Sequence, residues 1–321
     1  MLTQARLALR LHRFTLLAVA AMVVFASVAA LIVADRLRAA GVTSACFASS
    51  KGWGMPFAGS ALTPCQEQMN EFHQIDATWA GPLMGIFGGI APVGGLLVGV
   101  ALVAREIEER TAALAWSLAP SRTRWLFGRV APVAAVLLVL FAIAAIAATE
   151  LQRARDPSVD PLLSFYGESS RGLELVAIGF MVFAVSVLVG SIVGRVLPSL
   201  ILAAVLGLVL TVTAFVAEST WISSQSVIVD AERASSYDGA LYIEQLVRLR
   251  TGELVPTGSI VWTEDASGNP TGQLAGSTIE DQLVPGSRHP FVEAVDSAAM
   301  MTVAGALLVL TGFVVRRRRP S

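Results

Sequence analysis

The sequence predicts an all-α polytopic membrane protein: six transmembrane helices, both termini cytoplasmic, and a small mixed α+β extracytoplasmic insertion between spans five and six. Three observations predict it. The chain is 55% hydrophobic with only 15% charged residues, and its mean hydropathy is +0.67, whereas soluble domains carry roughly 25% charge. Six segments of 17 to 25 residues contain no Asp, Glu, Lys or Arg: Phe14 to Ala34, Ala80 to Ala104, Val130 to Ala148, Leu175 to Val193, Leu200 to Val216 and Ala298 to Val315. Each is long enough for a hydrocarbon core that takes roughly 20 helical residues. The basic residues also sort by side, as counted below.

Residues 1–34 form the first unit, a basic lead-in and the first span. Arg6, Arg10 and Arg13 share one helical face, suited to anionic headgroups. The apolar run that follows is 21 residues long, against roughly 7 to 15 for a signal-peptide core. A retained span is therefore expected. With the N-terminus inside, 13 of the 23 basic residues fall on inner segments; four of the ten outer ones lie in the long loop from Glu218 to Asp296. Orientation discounts long loops, so the usable comparison is 13 against 6. Trp79, Trp125 and Trp221 fall near span ends, where amphipathic rings settle.

Residues 35–79 form an outer loop holding the two cysteines, Cys46 and Cys65. Outside the membrane they can oxidise, and a bridge would contribute roughly 3 kcal/mol. The bridge is the expectation, and two free thiols are the alternative that the spacing leaves open. Residues 80–217 carry spans two to five. Gly81, Gly85, Gly89, Gly95 and Gly99 give span two a small-residue packing stripe, which suits a neighbouring helix of the same bundle or of a partner chain. The turn from Gly194 to Ser199 makes spans four and five a hairpin. Residues 218–296 form the outer insertion, with a helical pattern near "GALYIEQLVRLR" and a strand-like "GSIVWTEDASGNPTG". Residues 297–321 are the sixth span and a basic tail.

Catalytic signatures are missing. None of the six apolar segments contains an acid, and His12, His73 and His289 all lie outside them, which disfavours an intramembrane proton relay. No metal-ligand spacing occurs, and no nucleic-acid partner is expected. The sole lysine, Lys51, precedes Gly52 in an outer loop, so the chain has no phosphate-binding loop. Neither catalysis nor a bound cofactor is expected. Any ATP and magnesium chemistry belongs to a separate subunit.

The stretch between spans two and three is charge-dense. Ile107, Thr111, Leu114 and Leu118 form one narrow stripe of a helix over 104–119, with Arg105, Glu106, Glu108, Glu109 and Arg110 around it. Pro120 should stop that helix and Ser121 should cap the next. On its own physics this helix is a solvated connector or a docking element.

The stretch "LVAREIEERTAALAWSLAPSRTRWLFGRV" resembles the segment after the second span in the type 2 family of ABC transporter permeases. Glu106, Glu109, Thr111, Leu114, Trp116, Ser121, Arg122, Arg124 and Trp125 stand at matching places. Arg110 stands where the family usually has glycine, which suggests a continuous helix rather than a tight turn. The resemblance implies the permease subunit of an ATP-driven exporter of an amphipathic substrate, paired with a second copy or a sister permease. It also implies an ATPase subunit docked against Arg105, Glu106, Glu109 and Thr111, with Arg122 and Arg124 as weaker members of that set. A membrane sensor or assembly factor acting through residues 218–296 is the alternative. The 22-to-1 ratio of Arg to Lys points to a bacterial plasma membrane.

Overall fold

A computed structural model describes residues 9–43, 46, 64–111, 121–234, 236–260 and 277–318. Six of its helices are long and apolar enough to cross a membrane. They are α1 (Arg13–Ala39), α3 (Gly81–Glu108), α4 (Arg122–Arg155), α5 (Gly172–Val193), α6 (Val196–Ser223) and α8 (His289–Arg317). A shorter α2 (Pro64–Ile75) runs through a π-helical turn, Asp76–Ala80, into α3. The long helices cover their charge-free segments, apart from Ala80 in the π-helical turn before α3, and most extend past them, because leucine, alanine and the polar flanks continue helical geometry. The lead-in carrying Arg6 and the coupling segment beyond Thr111 lie outside the described residues.

The chain divides into two units. The first comprises Met1–Pro157, Gly167–Phe215 and Glu293–Ser321, and holds the bulk of the long helices. At its centre is α5, with 78% of its apolar window buried, whereas α6 buries 11%. Around α5 pack α3 and α4, and α1 lies against α4. Apolar association cannot drive helix packing in lipid, so close backbone approach must. At Gly95 a Cβ would overlap the Gly179 carbonyl oxygen, and at Gly99 it would lie 2.6 Å from Ser186 Cβ and 2.7 Å from the Phe183 carbonyl oxygen. These two glycines therefore serve the α3–α5 contact within the chain. Gly85 and Gly89 meet nothing within 4 Å among the described residues, and Gly81 approaches only the Asp76 carbonyl at 3.5 Å and Arg155 at 4.0 Å. The five-residue stripe is thus divided between different surroundings.

Hydroxyls inside the spans bond back to the preceding turn. Ser186 Oγ donates to the Val182 carbonyl at 2.7 Å and Thr302 Oγ1 to the Ala298 carbonyl at 2.7 Å, which satisfies these two hydroxyls within their own helices. At the end of the bundle that holds α2, Arg155 makes a two-pronged contact with Asp76, at 2.6 and 3.2 Å, and Arg38 reaches Glu150 at 3.2 Å. Cys46 and Cys65 are joined there as a disulfide, with 5.9 Å between their Cα atoms. The α5–α6 connection is only Gly194 and Arg195. Gly194 adopts φ 69°, the left-handed conformation that lets α5 end abruptly, and Pro198 falls inside the first turn of α6.

The second unit comprises Ser158–Tyr166 and Val216–Val292. It contains β1 (Val227–Asp230), the one-turn helix α7 (Ala231–Ala234), β2 (Leu241–Arg248), β3 (Leu254–Pro256) and β4 (Thr278–Val284). The strands form an antiparallel sheet in the order β1-β4-β2-β3. The helical pattern read in "GALYIEQLVRLR" is corrected: Leu241–Arg248 is strand β2. Tyr242, Ile243 and Val247 favour the pleated surface, and pairing to β3 and β4 on both sides outweighs a spacing too short to discriminate period. Of the strand-like "GSIVWTEDASGNPTG", the start at Thr257–Ser259 is a 3-10 turn, and residues 261–272 lie outside the described residues. Residues 158–166, which the sequence places in the loop between spans three and four, pack into this unit: a Cβ on Gly239 or Gly286 would overlap the Leu163 carbonyl.

Candidate functional site

The described parts of the charge-dense stretch lie at the end of α3 and the start of α4. Helix α3 stops at Glu108, and Glu109 and Arg110 close it through bonds to the Arg105 and Ile107 carbonyls, at 2.9 and 3.1 Å. Arg110 adopts φ 58°, the only positive φ at a non-glycine position among the described residues. The continuous helix expected through Arg110 is therefore corrected. The left-handed cap is a property of the chain path, and arginine adopts it at a cost of roughly 1–2 kcal/mol relative to glycine. Thr111 Oγ1 donates to the Glu106 carbonyl at 3.1 Å and secures the turn. Downstream, Ser121 is the cap of α4, its Oγ accepting from the Arg124 amide at 3.2 Å, as read from the sequence.

The acids of this stretch take three different directions. Glu109 is half exposed and pairs with Arg105 across one helical turn, at 2.8 Å. Glu108 accepts the Val196 amide at 2.8 Å and so caps the N-terminus of α6. Glu106 turns inward and forms an ion pair with Arg129 of α4, the two side chains being only 11% and 16% exposed. The Arg129 guanidinium lies 4.8 Å over the ring of Trp125, one turn earlier on α4. Trp125 is buried against this cation.

His12 completes the cluster from the turn before α1. It is buried, and desolvation, assisted by Arg129 and then Arg105, lowers its pKa from 6.5 to about 4. The ring is neutral at pH 7. His12 Nε2 and the second carboxylate oxygen of Glu106 have no hydrogen-bond partner among the described residues, and both residues line a cavity of about 210 Å³ with Leu11, Arg105, Glu109, Thr111 and Arg129. Arrangements of this kind are expensive to disturb, because each buried charge depends on the other.

Arg122 bridges to the opposite terminus, donating to the carbonyls of Arg316, at 3.5 Å, and of Arg318. Arg318 in turn donates to the Ser191 carbonyl and to the Ile192 carbonyl, at 3.2 Å. The sequence-selected residues Arg105, Glu106, Glu109 and Thr111 thus meet at one cavity, Arg122 works at the α4–α8 contact, and Arg124 is exposed. Sequence reasoning did not select His12, Glu108 or Arg129. Arg129 carried one signal, a cation placed directly before a charge-free span and four residues after a tryptophan.

Residues 14–218 match a family model described as ABC-2 membrane transporter related. The chain belongs to that family. The match runs from α1 into α6 and includes the whole polar cluster apart from His12, leaving the sheet and α8 outside it. No curated protein and no solved structure matches the chain. As an ABC-2 family membrane domain, the chain is a multi-pass membrane protein of the transporter-permease type.

Proposed function

We propose that this chain is the membrane-spanning subunit of an ATP-driven exporter that moves an amphipathic substrate across a bacterial plasma membrane. Its energy comes from a separate ATPase subunit carrying ATP and magnesium, and it works beside a second copy or a sister permease. Both termini, with the cavity around His12, face the cytoplasm, and the sheet unit lies outside. The observation that carries this reading is the family match over residues 14–218, which includes the charged α3–α4 connection. The absence of a phosphate-binding loop in the sequence supports a separate ATPase.

Within this mechanism the charged residues divide their work. Arg105, Glu109 and Thr111 stand at the exposed rim and meet the ATPase. Glu106 acts through Arg129 and transmits displacement of the α3 end to α4, making it a positioning residue. Displacement of a helix end can switch a packed bundle because its interfaces are bistable rather than continuously deformable. The test looks for an adjacent reading frame encoding an ATPase with a phosphate-binding loop, co-expresses that ATPase with the chain, and measures co-purification together with ATP-dependent release of labelled amphipathic compounds from vesicles. Stable association and ATP-dependent release are expected. An ATPase that neither binds the chain nor drives release in its presence refutes the reading.

A further inference from the structure

At the arginine-rich end of the bundle, α4 and α8 meet through Arg122 and again where Gly312 faces the Phe127 ring. Between them lies a cavity of about 190 Å³ lined by Thr123, Phe127, Val309, Gly312, Phe313 and Arg316. Its walls are apolar and open outward: Phe127 and Phe313 are 41% and 54% exposed. Gly312 sets its depth, since a Cβ there would already stand 3.5 Å from the Phe127 ring.

The charge at its mouth is one-sided. The first turn of α4 contains no acid, and the last turn of α8 holds Arg316 and Arg317. The amide groups and macrodipole at the start of α4 add positive potential. The three acids of the α3 end are engaged elsewhere: Glu106 with Arg129, Glu108 with the Val196 amide and Glu109 with Arg105. Arg316 gives its carbonyl to Arg122, and its guanidinium has no acidic partner among the described residues. An apolar slot ending in a cation with no acidic partner among the described residues, on helices long and apolar enough to cross a bilayer, suits the acyl chain and phosphate of an anionic lipid.

We infer that the α4–α8 groove is a binding site for an anionic phospholipid, its acyl chain between Phe127 and Phe313 and its phosphate at Arg316 and the N-terminus of α4. Zwitterionic lipid fits the same slot but gains less, because its own cation opposes the arginine. The site holds the two helices at the end where Arg122 joins them.

The test purifies the full chain in detergent with an equal mixture of phosphatidylglycerol and phosphatidylcholine and counts retained lipids by native mass spectrometry. Wild-type chain is expected to retain phosphatidylglycerol preferentially. Arg316→Gln should cut that preference about fivefold, the change expected for one basic side chain at a headgroup. Gly312→Leu should reduce retention of both lipids by filling the slot, and Arg153→Gln, at the other end of α4, should change nothing. Excess inorganic phosphate should not displace the lipid. Equal retention of the two lipids by wild type, full preference in Arg316→Gln, or displacement by phosphate would each overturn the proposal. The readout needs no ATPase, so its failure is separate from failure of the exporter reading.

Discussion

Replacing Glu106 isolates the energetics of the buried pair. Its side chain and that of Arg129 are 11% and 16% exposed, so removing either partner leaves a charge in a poorly solvated site. Such changes cost about 3–5 kcal/mol. Glu106→Ala should fall at the lower end, about 3 kcal/mol, because Arg129 retains the Trp125 ring face at 4.8 Å. Arg129→Ala should fall at the upper end, about 5 kcal/mol, because it removes that ring contact and strands a carboxylate whose second oxygen already lacks a hydrogen-bond partner among the described residues. The double variant Glu106→Leu/Arg129→Met removes both charges and keeps the volume. It should return to within about 1 kcal/mol of wild type or exceed it. The assay is thermal unfolding of the purified chain in detergent, read by loss of the monodisperse chromatographic peak, with denaturant titration where unfolding is reversible. The same variants then separate stability from coupling: the double variant should be stable yet deficient in ATP-dependent release, since it removes the Glu106–Arg129 ion pair that joins the end of α3 to α4. Single variants as stable as wild type, or a double variant as unstable as the singles added together, would refute the reasoning.

Four further outcomes follow from the geometry. Arg110→Gly should stabilise the chain by about 0.5–1 kcal/mol by relieving the left-handed cap at φ 58°, after the entropy of a free glycine is counted; a destabilised variant in the same unfolding assay would refute it. Gly99→Leu should cost several kcal/mol or abolish monodispersity, whereas Gly85→Leu, with open space at its Cβ, should leave the chromatographic profile unchanged. Burial, with Asp296 and Glu293 adding and Arg171 opposing, raises the Glu168 carboxyl from 4.5 to about 7. Folding therefore favours its protonated form: its stability contribution is complete below pH 4.5 and is lost as pH rises to about 7, so Glu168→Gln should gain on wild type across that window, and parallel stability–pH curves would contradict the shift. Reduction of the Cys46–Cys65 disulfide, with a sequence separation of 19, should lower stability by about 3 kcal/mol, and Cys46→Ser/Cys65→Ser should be equally destabilised and insensitive to reductant.

What the amino-acid sequence by itself determined is what local chemistry determines. A run of some twenty uncharged residues must hide its backbone polar groups when placed in lipid, and helix is the local way to do so. The six spans follow from that requirement, and so does the Ser121 cap, whose hydroxyl needs only the amide three residues on. The family resemblance was legible for the same reason, being carried by a contiguous stretch. Tertiary structure decided everything that depends on which surfaces meet. Glu106, Glu108 and Glu109 are near neighbours in sequence, yet one is buried on Arg129, one caps α6 and one stays at the rim. Helical spacing turns neighbouring residues to different sides, and only the positions of α4 and α6 make those sides unlike. Tertiary pairing likewise made Leu241–Arg248 a strand against β3 and β4. At Arg110, the path of the chain held a left-handed cap that the side chain alone disfavours. Interactions between residues far apart in the chain exceed the roughly 1 kcal/mol preferences of individual residues, so they prevailed at the acids and at β2.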